Sequence, residues 1–318
     1  MGIGFYLQQP FAQHALLAAA LVAVAGGLIG PFVVTRGMAF AVHGTAELAF
    51  TGAAAGLLVA GNPVAGALVG SLVVAALIAV LGARQRERDS AIGAILAFGM
   101  GIGILLLGYY HGFATAATNI LFGNIFGVSG SQLVVLVVIG AIVVVVMAVW
   151  YRPLLFASVD PEVAEARGVP VRALGLLFLL VLALTVTGAA QVVGTLLVLS
   201  LAITPAAAAQ RLSANPVRVA VLSVVFAVVA ADGGLLASFE AANVKASVFI
   251  TSISFALYLI ARVVGPVVRE THHHDGDRGR RRGTRRAVGT GMGGGHRAPV
   301  SAPPVPPGSP TTAEEPEW

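Results

Sequence analysis

Nine long apolar runs, separated by short polar stretches, form the pattern of this chain. Each is about 20 residues long, the length that an α-helix needs to cross the hydrocarbon core of a bilayer. The pattern therefore predicts an all-α, polytopic transmembrane protein with about nine spans. The second run is rich in glycine and alanine, and eight spans remain if it is broken or re-entrant. The first six runs cover approximately residues 14–34, 38–60, 63–82, 90–108, 132–151 and 173–189. The seventh starts near Gln191 and contains Pro205. The eighth and ninth cover approximately residues 217–236 and 246–264.

Arginines in the connections between the runs indicate the orientation of the chain. They all fall on one side of the membrane if the nine runs cross it, and basic residues in short loops favour the cytoplasmic side. This predicts an N-terminus outside and a C-terminus in the cytoplasm, with Lys245 as the exception. The arginines are Arg36, Arg84, Arg86, Arg88, Arg152, Arg167, Arg172, Arg211, Arg218, Arg262 and Arg269.

A change of composition after the ninth run divides the chain into two parts. Residues 1–265 form the predicted transmembrane domain. Residues 266–318 are rich in arginine, histidine, glycine and proline, and predict a disordered cytoplasmic tail. The formal charge of +5 comes mainly from this tail. It indicates membrane topology and does not indicate nucleic-acid binding.

Two absences exclude classes of function. The chain has no cysteine, which excludes disulfide bonds and thiolate metal sites. The only lysine, Lys245, lies in the stretch NVKAS and not behind a glycine-rich loop. A phosphate-binding loop of the GxxxxGK[ST] type needs a lysine after its glycines. The chain therefore carries no nucleotide site of this type.

A polar segment between the fifth and sixth runs, RPLLFASVDPEVAEARGVPVR, predicts a short helix just outside the membrane on its basic side. Asp160 is a favourable N-cap, Pro161 suits the first helical position, and Gly168 can close the helix in a left-handed turn. Two interpretations are open at this point. The segment is either an ordinary solvated loop or a docking helix on which a cytosolic partner acts.

Ionisable residues inside the apolar runs are the candidates for chemistry. Such a side chain costs about 2.5–3.5 kcal/mol at the centre of a bilayer, so it usually faces the protein interior and has a function. His43 and Glu47 lie four residues apart in the second run, so one helix face presents both. Imidazole and carboxylate ligands suit a divalent cation such as zinc. The alternative is a buried His–Glu hydrogen bond without a metal.

Asp232, in the eighth run, is a further candidate ligand. It lies near the outer half of that run, beside two glycines. Its carboxylate either contributes to the same pathway as His43 and Glu47 or caps a helix end at the surface. The sequence leaves both interpretations open.

Six stretches together resemble the membrane permease subunit of the metal-type ABC importers, which carry zinc, manganese or iron. The resemblance covers roughly residues 11–265, and it rests on the order and spacing of the stretches more than on any one of them. The stretches are TRGMAFAVHGTAELAFTG, GNPVAGALVG, RDSAIGAILAFGMGIGILLL, NILFGNIFGVS, DPEVAEARGV and AQVVGTLLVLSLAITPAAAAQ.

The resemblance implies a multi-pass protein of the bacterial cytoplasmic membrane that transports metal and is not itself an enzyme. It also implies a homodimer of permeases, cytosolic ATP-binding subunits and an extracytoplasmic metal-binding protein, with no permanently bound cofactor. The polar segment would then couple transport to the ATPase. The coupling residues that the resemblance implies are Asp160, Pro161, Glu162, Ala164, Glu165 and Gly168.

The chain departs from the family pattern at two places. The family usually has an aspartate four residues before a histidine in the second span, whereas here His43 precedes Glu47. Lys245 stands about where the family has a proline. A histidine ligand without any cysteine favours zinc over manganese or iron. We therefore expect a zinc permease, with a manganese or iron(II) permease and a stand-alone secondary transporter as alternatives.

Overall fold

Helices form the whole regular structure in the part of the chain that the computed structural model describes, which comprises residues 5, 8–81, 85–111, 113–195, 198–240 and 244–265. Each predicted apolar run has its helix, and the all-α prediction is confirmed. The helices are α1 Pro10–Thr35, α2 Ala39–Ala60, α3 Pro63–Leu81, α4 Gln85–Gly108, α5 Phe113–Phe122, α6 Gly130–Val159, α7 Pro161–Ala166, α8 Val171–Val192, α9 Val198–Ala202, α10 Thr204–Leu212, α11 Pro216–Glu240 and α12 Ala246–Gly265, with a 3₁₀ turn at Ile125–Gly127.

The chain separates into two units, Met1–Glu270 and Thr271–Trp318. All residues that the structure describes belong to the first unit. The predicted tail, residues 266–318, lies outside the described residues. Its predicted disorder therefore stays a prediction.

Six of the described helices are long and apolar enough to cross a membrane: α1, α2, α6, α8, α11 and α12. Three shorter apolar stretches, Pro63–Ala79, Ile92–Gly108 and Val198–Leu212, complete the set of nine runs. The second run is one continuous helix and is not broken. The number of spans and the side of the membrane that each terminus faces remain predictions.

The predicted start of the seventh run is wrong. Gln191 lies in the last turn of α8 and so belongs to the sixth run. Within the described residues the seventh run comprises α9 and α10, which are divided at Ile203. Pro205 lies in the first turn of α10, where a missing N–H and a fixed φ angle are tolerated, whereas inside a helix they are not.

Side-chain contacts define two ends of the helix bundle. The short helix α7 marks one of them, which we call the α7 end, and the other is the opposite end. Contacts at the α7 end join Arg36 to Ser158, Gln210 to Thr35 and Gly265 to Arg211. Contacts at the opposite end join Phe126 to Phe11 and Phe239, and Lys245 to Phe122.

Helices α1 and α8 lie at the centre of the bundle. In an apolar 18-residue stretch of each, 67% of the residues are buried, compared with 22% in α12. Small residues allow the backbones around α1 to approach closely, as is typical of helix packing in membranes. A Cβ atom at Gly27 would lie 2.7 Å from Cα of Val224, and one at Gly30 would lie 2.3 Å from the backbone oxygen of Ala202. Helix α1 is therefore held against α9 and α11 by backbone-to-backbone contact.

Glycines also fix the position of α2, the helix that carries His43 and Glu47. It packs against α3 through Gly52 and Gly66, where a Cβ atom added to either would lie within 2.2 Å of the other's backbone oxygen. The glycines of the second run therefore permit a close approach of the two helix backbones. They leave α2 little freedom to shift along α3.

We expect Gly66→Ala to destabilise the protein by about 1–3 kcal/mol, because a side chain forced into a filled contact shifts the backbones apart. The added Cβ would lie 2.1 Å from the backbone oxygen of Gly52. Thermal unfolding in detergent measures the loss. Gly101→Ala is the matched control, since a Cβ at that exposed glycine meets nothing within 4 Å. Equal unfolding temperatures for the two variants would contradict the proposed contact.

Candidate functional site

His43 and Glu47 lie one helical turn apart in the first half of α2, as the sequence predicts. The side chain of Glu47 is 3% exposed and that of His43 is half-buried. Their spacing of four residues places both side chains on one face of the helix. The structure therefore brings a nitrogen and an oxygen ligand together on one face of a tightly packed helix.

Both side chains keep a buried atom that makes no hydrogen bond to any residue that the structure describes. These atoms are Nδ1 of His43 and Oε2 of Glu47. The two side chains are not hydrogen-bonded to each other, which argues against the alternative of a structural His–Glu hydrogen bond. Buried polar atoms are nearly always paired, so an unpaired one requires an explanation, such as strain, a functional role, or an ion or water at that place. His43 and Glu47 therefore remain the candidate metal ligands on this helix.

A hydrogen bond and a close contact hold this part of α2 against α4. Thr51, one turn beyond Glu47, donates its hydroxyl to the backbone oxygen of Gly99 at 2.7 Å. A Cβ atom at Gly44 would lie 2.8 Å from Cγ2 of Ile92. The Thr51 hydroxyl is therefore used to fix α2 on α4.

The described residues of one chain do not bring together a full set of candidate metal ligands. No group of three His, Cys, Asp or Glu side chains that could hold a metal occurs within the described residues. Asp232 lies on α11, half-buried, and its Oδ1 atom makes no hydrogen bond to the described part of the chain. The structure does not bring Asp232 together with His43 and Glu47 into one cluster. His43 and Glu47 are therefore the two candidate ligands that one chain brings together.

A separate, mainly apolar cavity of about 200 Å³ lies at the opposite end, between α2, α3, α5 and α8. Gln191 and Thr195 line it, each with a buried oxygen that lacks a partner among the described residues. Helix α2 contributes Ala49 and Ala53 to its wall. At 3.6 residues per turn these alanines point away from the face that carries Glu47. The cavity is therefore not part of the His43–Glu47 site.

The polar segment after α6 forms the short helix that its sequence predicts. The Oδ1 atom of Asp160 accepts a hydrogen bond from the backbone N–H of Val163 at 3.0 Å, which is an N-cap. Pro161 occupies the first position. Gly168 has a φ angle of +80°, so it ends the turn in the left-handed conformation that glycine adopts without strain.

The exposed surface of α7 is acidic and apolar. Glu162, Val163 and Glu165 are exposed, whereas Ala164 is fully buried against the rest of the chain. Glu162 and Glu165 are thus available to a partner. Ala164 can act only by seating the helix on the bundle.

Arg36 is a contact residue that the sequence indicated only as a marker of topology. Its Nε atom donates to Oγ of Ser158 at 2.7 Å, and its guanidinium carbon lies 4.8 Å from the ring centroid of Phe178. It also borders a cavity of about 560 Å³ at the α7 end, together with Pro161 and Arg172. In the sequence, Arg36 stands directly before the run that contains His43, and this position is the only sign there of a role beyond topology.

Comparison with known proteins shows the family. The ABC 3 transport family matches residues 8–265, and the chain belongs to this family. A relative from Halalkalibacterium halodurans, named manganese transport system membrane protein MntC, is 33% identical over 79% of this chain and 87% of its own length. The high-affinity zinc uptake system membrane protein ZnuB of Haemophilus influenzae is 26% identical over 78% and 96%.

A solved structure described as PsaBC from Streptococcus pneumoniae in complex with Fab is also similar. It is 29% identical, with a TM-score of 0.76 over 84% of this chain and 98% of that chain. The resemblance to metal-type ABC permeases is therefore confirmed. The chain is a multi-pass protein of the bacterial cytoplasmic membrane and a transport component, not an enzyme.

Proposed function

We propose that this permease imports a divalent metal ion and that ATP hydrolysis on separate cytosolic subunits drives it. The observation that supports the proposal is the His43–Glu47 pair on a helix of an ABC 3 permease: each side chain keeps a buried atom without a hydrogen-bond partner among the described residues. An extracytoplasmic metal-binding protein would deliver the ion at the opposite end. The ATPase would dock on α7.

We further propose that two copies of the chain assemble and complete the site. One chain provides one imidazole and one carboxylate, and no third ligand of these types joins them among the residues that the structure describes. A symmetric pair would supply two of each, which is enough for a four-coordinate ion. Because a transport site must release its cargo, ligands divided between two subunits suit it: a small movement between the copies opens the shell.

We propose manganese as the first candidate for the transported ion. One nitrogen and one carboxylate ligand per chain suit both manganese and zinc, so the zinc prediction from the sequence is not tested by the geometry. Two relatives named for manganese transport are 33% and 29% identical in sequence to this chain. The relative named for zinc uptake is 26% identical. The imidazole of His43 and the zinc-named relative support zinc as the second candidate.

The proposal is tested with the reconstituted importer, that is, the chain, its ATPase subunits and its binding protein in proteoliposomes. The binding protein is supplied loaded with radioactive manganese or with radioactive zinc. We expect ATP-dependent uptake of manganese at a rate higher than that of zinc. Faster uptake of zinc would reverse the order of the two metals, and uptake of neither would contradict the proposed function.

Omission of the ATPase subunits separates an ABC importer from a stand-alone secondary transporter. We expect no uptake without them, because the described part of the chain offers a docking helix and the sequence has no phosphate-binding loop. Uptake that persists without the ATPase and follows an ion gradient would establish a secondary transporter.

A further inference from the structure

Arg36 occupies the short connection between α1 and α2. It is the C-cap of α1, and only Gly37 and Met38 separate it from the first residue of α2. The connection is tight: the N–H of Met38 donates to the backbone oxygen of Val33 at 2.9 Å, and the side chain of Met38 is buried. A displacement of Arg36 is therefore passed directly to the start of α2.

The guanidinium group contacts both helices that flank α7. On the α6 side it donates from Nε to Oγ of Ser158, and from a terminal nitrogen to the backbone oxygen of Leu154 at 3.5 Å. On the α8 side it lies over the ring of Phe178 at 4.8 Å. Ser158 stands two residues before Asp160, the cap of α7.

These contacts connect two features that are distant in sequence. The hydrogen bond to Ser158 spans 122 positions of the chain. On one side of Arg36 lies α7, where we propose that the ATPase docks. On the other side lies α2, with His43 and Glu47 in its first half. The guanidinium group of arginine is planar and carries several N–H donors in a rigid arrangement. It is therefore well suited to hold the neighbouring helices in a fixed geometry.

We propose that Arg36 transmits the movement of α7 to the metal-binding helix α2. It is a positioning residue, since it contacts neither His43 nor Glu47 in the described contacts and offers no metal ligand. This inference rests on the proposed function. The competing explanation is that Arg36 only marks membrane topology, as basic residues at the cytoplasmic ends of spans commonly do.

The test measures ATP hydrolysis and metal uptake in the same proteoliposomes, with the complete importer and manganese-loaded binding protein. For Arg36→Lys we expect ATP hydrolysis within about twofold of the original protein and uptake per ATP reduced about tenfold, a typical coupling between distant sites. Lysine keeps the positive charge but lacks the fork that reaches both neighbours. If Arg36 only marked membrane topology, lysine would replace it without loss of uptake per ATP.

Two further variants keep the inference testable if Arg36→Lys folds poorly. Ser158→Ala leaves Arg36 in place and removes one of its partners, so we expect a smaller fall in uptake per ATP, of severalfold, with ATP hydrolysis retained. Arg218→Gln, which changes an exposed arginine elsewhere at the α7 end, is the control and should keep the original ratio.

The outcomes separate this inference from the proposed function. If the original protein takes up neither manganese nor zinc from the loaded binding protein, the proposed function fails. If it transports normally while Arg36→Lys and Ser158→Ala keep the same uptake per ATP as Arg218→Gln, the coupling role of Arg36 is overturned. A parallel loss of ATP hydrolysis and uptake, with an unchanged ratio, also overturns it.

Discussion

Replacing His43 by alanine, or Glu47 by glutamine, is expected to reduce metal uptake at least about tenfold, and close to background. Either change removes one of the two ligands that we propose for each chain, and changes around metal ligands alone typically cost 10–100-fold in affinity or activity. Both side chains carry buried atoms without hydrogen-bond partners in the described structure, so their removal leaves no other buried group unpaired. We therefore expect normal amounts of folded protein in the membrane.

Radioactive manganese uptake, in a strain without its own importers that also expresses the partner subunits, measures this effect. Thr45→Val is the control within the same helix, because the Thr45 hydroxyl is buried and bonded only to the backbone oxygen of Ala41. It should retain most of the uptake. Original rates in both single variants would show that the pair is structural and that the ion passes elsewhere.

Exchanging the two ligand types provides a second measurement at the same site. The variant His43→Asp with Glu47→His has the acid-before-imidazole order that is usual in the family. We expect it to recover part of the uptake lost in the single variants, or to change the preference between manganese and zinc, because the ligand set is kept. Complete loss with normal folding would show that the order of the ligands on α2 is essential.

Reversing the charge of Glu162 and Glu165 together is expected to uncouple the ATPase from transport. Both glutamates are exposed on α7, so lysines in their place change a docking surface without filling a packed space. Stimulation of ATP hydrolysis by loaded binding protein should fall about tenfold or more, as is found when partners of charged interface pairs are lost. Uptake should fall with it.

Glu240→Lys is the matched control, since it makes the same charge change at an exposed glutamate of the opposite end. Asp160→Ala tests the cap separately: it should weaken α7 by about 1 kcal/mol and reduce stimulation less than the double reversal does. Ala164 is fully buried, so Ala164→Asp should lower the yield of folded protein, unlike the exposed positions. Unchanged stimulation in the Glu162 and Glu165 variant would exclude α7 as the docking helix.

Local features of this protein were predictable from the sequence alone. The apolar runs predict helices because length and hydropathy decide whether a segment can lie in a bilayer. Helix α7 was predictable because Asp160, Pro161 and Gly168 act within one or two turns. His43 and Glu47 were predictable as a pair because a spacing of four residues places them on one helix face.

Only the tertiary structure decided which faces of these helices meet. In a chain where nearly every helix face is apolar, hydropathy does not distinguish a face that packs on another helix from one that contacts lipid. The contact of Arg36 with Ser158, the burial of Ala164 and the separation of Asp232 from His43 and Glu47 therefore could not be predicted. The same reason applies to Gln191, which ends α8 instead of beginning the next run: the turn after it is set by the close approach of Gly194 to Gly123, and that contact joins residues far apart in the sequence.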